Sequence, residues 1–354
     1  MKWNNRALLR GNVKRLLIGS AVALAVLVAG GYGFQLQYPA ARTARACSGM
    51  LPVDSVLGLA GKSKLTLLGL GFHVTSREFD VSSDVTEPSG LATRCDVDGV
   101  VVSIETASGA HNAYGFYTFQ DDQESLPVPM GAGWQGFMVT DEDGATASVL
   151  LSCKNWTPNE GSGILVAAES PDGSEPTQAV RLDLARAVTG AARRAAEKTD
   201  CVAEPGDSSK LTAPAAEATT VSASDATGTC KGMTSVTQVR ETAAGTSPAE
   251  ECVLVGALQL TAAYGPFSDA SQAVVNGKYG GHDTPSGTGT HTVWTSSTCQ
   301  GALGVGYYHA TPVEDSDREF TSKPLTKEER ADLQHFAEQS AARHGCGAPA
   351  KPTS

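Results

Sequence analysis

The sequence predicts an α+β protein: an N-terminal transmembrane helix followed by two tandem homologous domains, each a largely antiparallel sheet with flanking helices and two disulfides. Three observations predict it. A basic start leads into a nineteen-residue run without charge, Leu16 to Phe34. Eight cysteines all lie beyond that run and fall into two sets of four. Strand-forming segments then come in blocks, each closed by one amphipathic helix, without the alternation that marks a parallel sheet.

Residues 1–15 carry Lys2, Arg6, Arg10, Lys14 and Arg15 and no acid. They read as a cytoplasmic basic tail, because cations before an apolar segment favour keeping it inside. Residues 16–34 would span roughly 28 Å at about 1.5 Å per residue, the thickness of a bilayer core. The competing reading is a cleaved signal peptide ending at Ala44-Arg45-Ala46. It is disfavoured by an apolar run longer than the usual h-region and by Arg42 and Arg45 between that run and the candidate site. Residues 35–46 form a spacer, and the bulk of the chain is expected outside a cell membrane that it crosses once.

The cysteines stand at 47, 95, 153, 201, 230, 252, 299 and 346. An even number in an exported region favours disulfides, and the absence of any C-x-x-C pair disfavours zinc. Split after Cys201, the neighbouring residues recur in order. Cys47-Ser-Gly-Met50 matches Cys230-Lys-Gly-Met233, and Ala113-Tyr-Gly-Phe-Tyr117 matches Ala263-Tyr-Gly-Pro-Phe267. Thr177, Arg181, Asp183 and Leu184 match Thr326, Arg330, Asp332 and Leu333 at identical spacing. Residues 47–202 and 230–346 are therefore two copies of one domain. Within each set three pairings are open. First with second and third with fourth is the expected one, because it ties each terminal helix to a strand: Cys47–Cys95, Cys153–Cys201, Cys230–Cys252 and Cys299–Cys346.

In the first copy, Leu51 to Ala60 suits a short helix and Gly99 to Ala107 a β-branched strand. Phe137 to Thr140 and Ser148 to Ser152 flank Asp141-Glu-Asp-Gly144 as a hairpin, and Gly163 to Ala168 adds a strand. Val180, Leu184, Val188 and Ala191 give the helix of Thr177 to Lys198 its apolar face. The second copy repeats the plan in Glu251 to Leu260, His291 to Ser297, Ala302 to His309 and Thr326 to His344. Residues 203–229, rich in Ala, Ser, Thr, Gly and Pro without apolar period, read as a flexible linker. Residues 347–354 read as a disordered tail.

The net charge is −11, and with five unopposed cations in the first fifteen residues the remainder carries 16 net negative charges. An acidic body without a basic, aromatic-studded stripe excludes nucleic acid as a partner. No G-x-S-x-G elbow, phosphate loop or H-E-x-x-H is present, so the sequence offers no catalytic, cofactor-binding or metal-ligating residue. His282-Asp283 with His291 is the nearest approach to a metal cluster and reads as exposed loop. Tyr114-Gly115 and Tyr264-Gly265 read as core tyrosines at a turn, Asn155-Trp-Thr157 as a formal glycosylation site, and Asp121-Asp122 and Asp141-Glu142-Asp143 as turn acids.

An early Cys before a helix, then Thr93-Arg94-Cys95 opening a strand pair, resembles small disulfide-bonded domains of actinobacterial envelope lipoproteins. The resemblance covers roughly the first half of each copy. Asp96-Val97 stands where a tryptophan often follows the second cysteine, and no lipobox precedes Cys47. The Ala/Gly/Val/Arg-rich composition suits a streptomycete-type genome. The resemblance implies a membrane-anchored envelope protein. The expected function is a non-catalytic extracytoplasmic module binding a small ligand or an envelope protein, with a sensory subunit of a membrane complex and an envelope hydrolase as alternatives. Function is expected where the copies differ, in residues 120–133 and 269–290.

Overall fold

The computed structural model describes residues 25, 39–61, 72–78, 91–107, 125–142, 144–157, 162–171, 173, 175–276, 284–313 and 318–353. Residues 1–15 and, apart from Ala25, residues 16–34 lie outside them, as do His282, Asp283, Tyr114 and Asp121-Asp122. Among the described residues no helix is long and apolar enough to cross a membrane.

The chain builds two seven-stranded antiparallel sheets. In the first copy the strands are β1 (Val74–Glu78), β2 (Ala92–Val97), β3 (Val100–Thr106), β4 (Val128–Pro129), β5 (Gly136–Thr140), β6 (Ala145–Ser152) and β7 (Gly163–Glu169), ordered β1-β2-β3-β7-β6-β5-β4. In the second they are β8 (Thr219–Ser222), β9 (Gln238–Glu241), β10 (Ala249–Leu254), β11 (Leu258–Tyr264), β12 (Ser286–Thr288), β13 (Val293–Thr298) and β14 (Val305–Pro312), ordered β12-β13-β14-β11-β10-β9-β8. Without β4 and β8 the two orders are the same: a meander of three strands, then a second meander whose last strand returns beside the third. The second sheet thus repeats the strand order of the first.

Local chemistry sets the turns. Asp98 and Gly99 both have positive φ, the requirement of the two-residue turn joining β2 to β3. Asp141 and Gly144 close the β5–β6 hairpin, the Gly144 amide donating to Asp141 Oδ1 at 2.8 Å. The run from Glu251 to Leu260, expected as one strand, is two, because Gly256 at φ 74° turns the chain between β10 and β11.

Helix α1 (Val53–Leu59) packs on helix α2 (Gln178–Lys198), which covers one face of the first sheet, with Leu184, Ala185, Val188, Ala191, Ala192 and Ala195 buried. Small residues let the helices approach closely. A Cβ at Gly190 would lie 2.9 Å from Pro52. The second copy adds α3 (Pro266–Asn276) after β11 and closes with α4 (Lys327–Arg343), whose Leu333, Phe336, Ala337 and Ala341 are buried. A capping box starts α4: the Glu329 amide donates to Thr326 Oγ1 at 3.1 Å and the Thr326 amide to Glu329 Oε2 at 2.7 Å.

The disulfides are Cys47–Cys95, Cys153–Cys201, Cys230–Cys252 and Cys299–Cys346, and no described cysteine is free. Each copy uses them alike. One joins the opening turn to the second strand of the common plan, and the other joins the end of the fifth strand to the residues following the last helix.

Two regions depart from expectation. Residues 203–229, expected as a flexible linker, supply the edge strand β8 and cross the first copy, where Arg181 Nε donates to the Pro214 carbonyl at 2.9 Å. Their polar composition reflects the lack of a core of their own: hydrogen bonds, β-pairing and the burial of Leu211, Ala223 and Ala226 in the neighbouring cores hold them. The C-terminal tail, expected to be disordered, lies along β13 beyond the end of β12. Gly347 N donates to Thr298 O at 2.8 Å and Ala350 N to Ser296 O at 3.0 Å, so the tail pairs backbone groups that β12 leaves open.

The two copies also share a core. Phe137, Val139, Leu150 and Leu165, on the face of the first sheet away from α2, are buried in one cluster with second-copy residues. Phe137 meets Phe267 edge-to-face at 5.1 Å, and a Cβ at Gly163 would fall 2.6 Å from the Ala302 side chain. Thr242 Oγ1 donates to Pro127 O at 3.0 Å and Ala302 N to Ser152 Oγ at 3.3 Å across the seam.

Candidate functional site

Among the described residues, two clefts open along the seam between the copies, both lined in part by residues 203–218. The larger cleft has a volume of 290 Å³ and is lined by Ser125, Leu126 and Thr140 of the first copy, Ala216, Glu217 and Ala218 of the connector, and Arg240 of β9. Register explains the arrangement. Arg240 pairs with Thr220 of β8 and Val253 of β10, on the sheet face opposite Val239 and Glu241. Thr140 ends β5 and its hydroxyl donates to the Ala216 carbonyl, which pins the connector to the first copy. Arg240 is half-buried and Glu217 exposed. The cleft is thus lined by a guanidinium-bearing, a carboxylate-bearing and two hydroxyl-bearing residues, chemistry of the kind that can hold a small polar group by hydrogen bonds and charge. Ser125 and Leu126 fall within 120–133, where sequence comparison of the copies expects function.

The second cleft, of 200 Å³, is bounded by Trp134, Leu150, Lys154, Glu204 and Thr246 among others. Lys154 and Glu204 form an exposed ion pair there, and the Glu204 carboxyl is held below its ordinary range by the hydrogen bond and charge of Lys154.

A third feature was not foreseen. On the face of the second sheet away from α4, one cross-strand row reads Glu251, Thr261, His309, Trp294 and Gly287. Glu251, Thr261 and His309 are at most 3% exposed. Thr261 Oγ1 donates to Glu251 Oε1 at 3.4 Å, and Tyr307 stacks on His309 at 5.0 Å. The corresponding row of the first sheet is Arg94, Ser103, Ala167, Ser148 and Phe137. Alternation of polar residues with Cys252, Leu260 and Ala310 was the available signal; each strand looks ordinary alone, and only the register assembles the row.

The other singled-out residues have structural work. Tyr264 is fully buried, shares a hydrogen bond with Ser340 Oγ at 2.5 Å and stacks on His344 at 4.0 Å. Burial pushes its hydroxyl well above the ordinary phenol range, with Tyr308 and Glu250 adding to the effect, so it is no acid–base group near neutrality. His291 is exposed, its Nδ1 3.3 Å from Arg318 O. Asn155 holds the end of α2: its amide donates to Asp200 O at 2.8 Å, and its oxygen accepts from Val202 N at 2.7 Å. Among the described residues no group of three or more His, Cys, Asp or Glu side chains is placed to hold a metal ion. No protein family, curated protein or solved structure matches the chain.

Proposed function

We propose that this protein is a non-catalytic, extracytoplasmic binding module, held at the cell membrane by residues 16–34, whose ligand seats in the cleft between its two copies. The observation that carries the reading is the 290 Å³ cleft in which Ser125 and Thr140, Glu217 and Arg240 converge from the first copy, the connector and the second copy. Sites of this kind favour junctions between domains, and a guanidinium and a carboxylate lining one cleft suit a zwitterionic or carboxylate-bearing ligand, or a partner segment of that chemistry. Four disulfides support the exported address, since such bonds persist in oxidising compartments.

The test is native mass spectrometry of the full chain extracted from its own membrane, beside a pull-down from envelope extract with the same bait. A bound small molecule or specific partner is expected on the wild type and lost from Arg240→Ala and Glu217→Ala, which should retain its fold. Recovery of neither, or recovery indifferent to both substitutions, removes the cleft from consideration.

A further inference from the structure

The described cations fall into two groups. Five face an acid: Lys154 pairs with Glu204, Arg186 with Asp183, Lys210 with Asp207, Arg318 with Glu329 and Arg343 with Glu250. The other group includes the C-terminal half of α2 together with the opening segment. Among the described residues no ion pair involves Arg45, Arg193, Arg194 or Lys198. Arg194 Nη1 instead donates to Leu51 O and Lys198 Nζ to Ser48 O, both at 2.7 Å, which fixes the end of α2 against residues 48–51. Arg45 and Arg193 are exposed. Glu197 and Asp200 are the acids exposed beside them, and Asp54 lies on α1. With Arg42 this end of the molecule carries five cations against three acids, on a body that is otherwise strongly acidic.

Its position matters as much as its sign. Residues 39–45 are helical, a length of about 10 Å. Residues 35–38 span at most roughly 14 Å. Any anchor ending at Phe34 therefore keeps Arg45 within about 24 Å of the bilayer, and the tether makes its encounter with the headgroups intramolecular. A weak cationic surface then suffices, because each Lys or Arg within a Debye length of about 8 Å is drawn to anionic headgroups.

We infer that the face formed by Arg45, Arg193, Arg194 and Lys198 rests on anionic lipid headgroups and so fixes the orientation of both copies, with the seam cleft, above the membrane. The inference rests on the anchor at residues 16–34. It is tested with the full chain in nanodiscs of phosphatidylcholine or phosphatidylglycerol, by arginine labelling with phenylglyoxal and mass spectrometry. Labelling of Arg45 and Arg193 is expected at least threefold slower in phosphatidylglycerol. High salt, or Arg193→Glu combined with Arg45→Glu read at the remaining Arg194, abolishes the difference, while Arg330 on α4 labels equally in both lipids. A chain that co-elutes with the discs but labels alike in both lipids overturns the inference and leaves the anchor standing. A chain that elutes apart from the discs overturns the anchor and the inference with it.

Discussion

The two copies share one order of six strands, yet the faces they turn away from their closing helices differ in chemistry. In the first copy that face offers Phe137, Val139, Leu150 and Leu165 to the second copy's core. In the second it carries Glu251, Gln259, Thr261 and His309, all nearly buried. The helix-covered faces are alike in both: a disulfide half-cystine on the second strand, aliphatic neighbours, and small or apolar residues from the helix. A duplicated domain must keep the face that holds its own helix, whereas the other face answers only to what covers it. The first copy has turned that face into an internal interface, and the second has filled it with hydrogen-bonding groups that need partners when buried. The comparison separates what is required to fold from what is available to change.

The largest effect should come from breaking the shared core. Phe137→Ala removes a fully buried ring that contacts Phe267 across the seam, and such deletions cost about 3–5 kcal/mol. Denaturant unfolding should show the loss in a single transition reported equally by probes in both copies. A second copy that unfolds at its wild-type midpoint would make the copies independent units after all.

The disulfides sharpen the comparison, because equivalent bonds close unequal loops. Cys47–Cys95 encloses 48 residues and Cys230–Cys252 only 22. Chain entropy then assigns roughly 4 kcal/mol to the first and roughly 3.4 kcal/mol to the second. Replacing both cysteines of each pair by alanine and measuring the denaturant midpoints should rank the losses in that order, and the reverse order would assign the difference to native packing.

Legibility followed locality. The cysteine series, the Asp-Gly hairpin of β5 and β6, and the periodic helices α2 and α4 are written in short stretches and were readable. Asp98-Gly99, with both residues at positive φ, is an equally local turn signal. Strands β8 and β9 are short and polar and carry no alternation of their own. Helix α3 opens at Pro266 and offers only about three turns, too little for periodicity to stand out. The seam was illegible for a firmer reason: Gly136-Phe-Met-Val139 is buried on both faces, so it shows continuous apolarity where a half-exposed strand would alternate. The cleft joins Ser125 to Arg240 through folding alone, and no spacing in the sequence announces it.

A smaller, pH-dependent effect distinguishes the closing helices. Helix α4 is capped by Glu329, which also receives the Arg318 guanidinium at 2.6 Å, whereas α2 has only the Thr177 hydroxyl. Burial alone would raise the Glu329 carboxyl, but the Arg318 hydrogen bonds, the Thr326 amide and the Arg318 charge together hold it below the ordinary value of 4.5. A depressed folded value means that the cap's contribution is complete above about pH 5 and is lost as pH falls through the folded value. Glu329→Gln should therefore lower the stability at pH 7 by about 1 kcal/mol, the usual worth of a cap, and the gap to wild type should close on acidification toward pH 3. A gap constant with pH would place the cost in packing.

The smallest effect expected is none. Lys154 and Glu204 meet at the rim of the second cleft, with 57% and 82% of their side chains exposed. An ion pair so open to water gains little Coulomb energy and spends side-chain entropy to hold its geometry. Its position at the point where the connector leaves the first copy invites the thought that it clamps the two copies together, yet the apolar seam beside it already does so through Phe137 and Leu150. Lys154→Ala should leave the thermal midpoint and its salt dependence unchanged, while Leu150→Ala, a buried change on the same strand-to-seam path, should lower the midpoint by several degrees. If removing the lysine charge were to loosen the seam as much as removing the leucine, the joint between the copies would be electrostatic, and the contrast between an apolar first face and a polar second one would lose its cause.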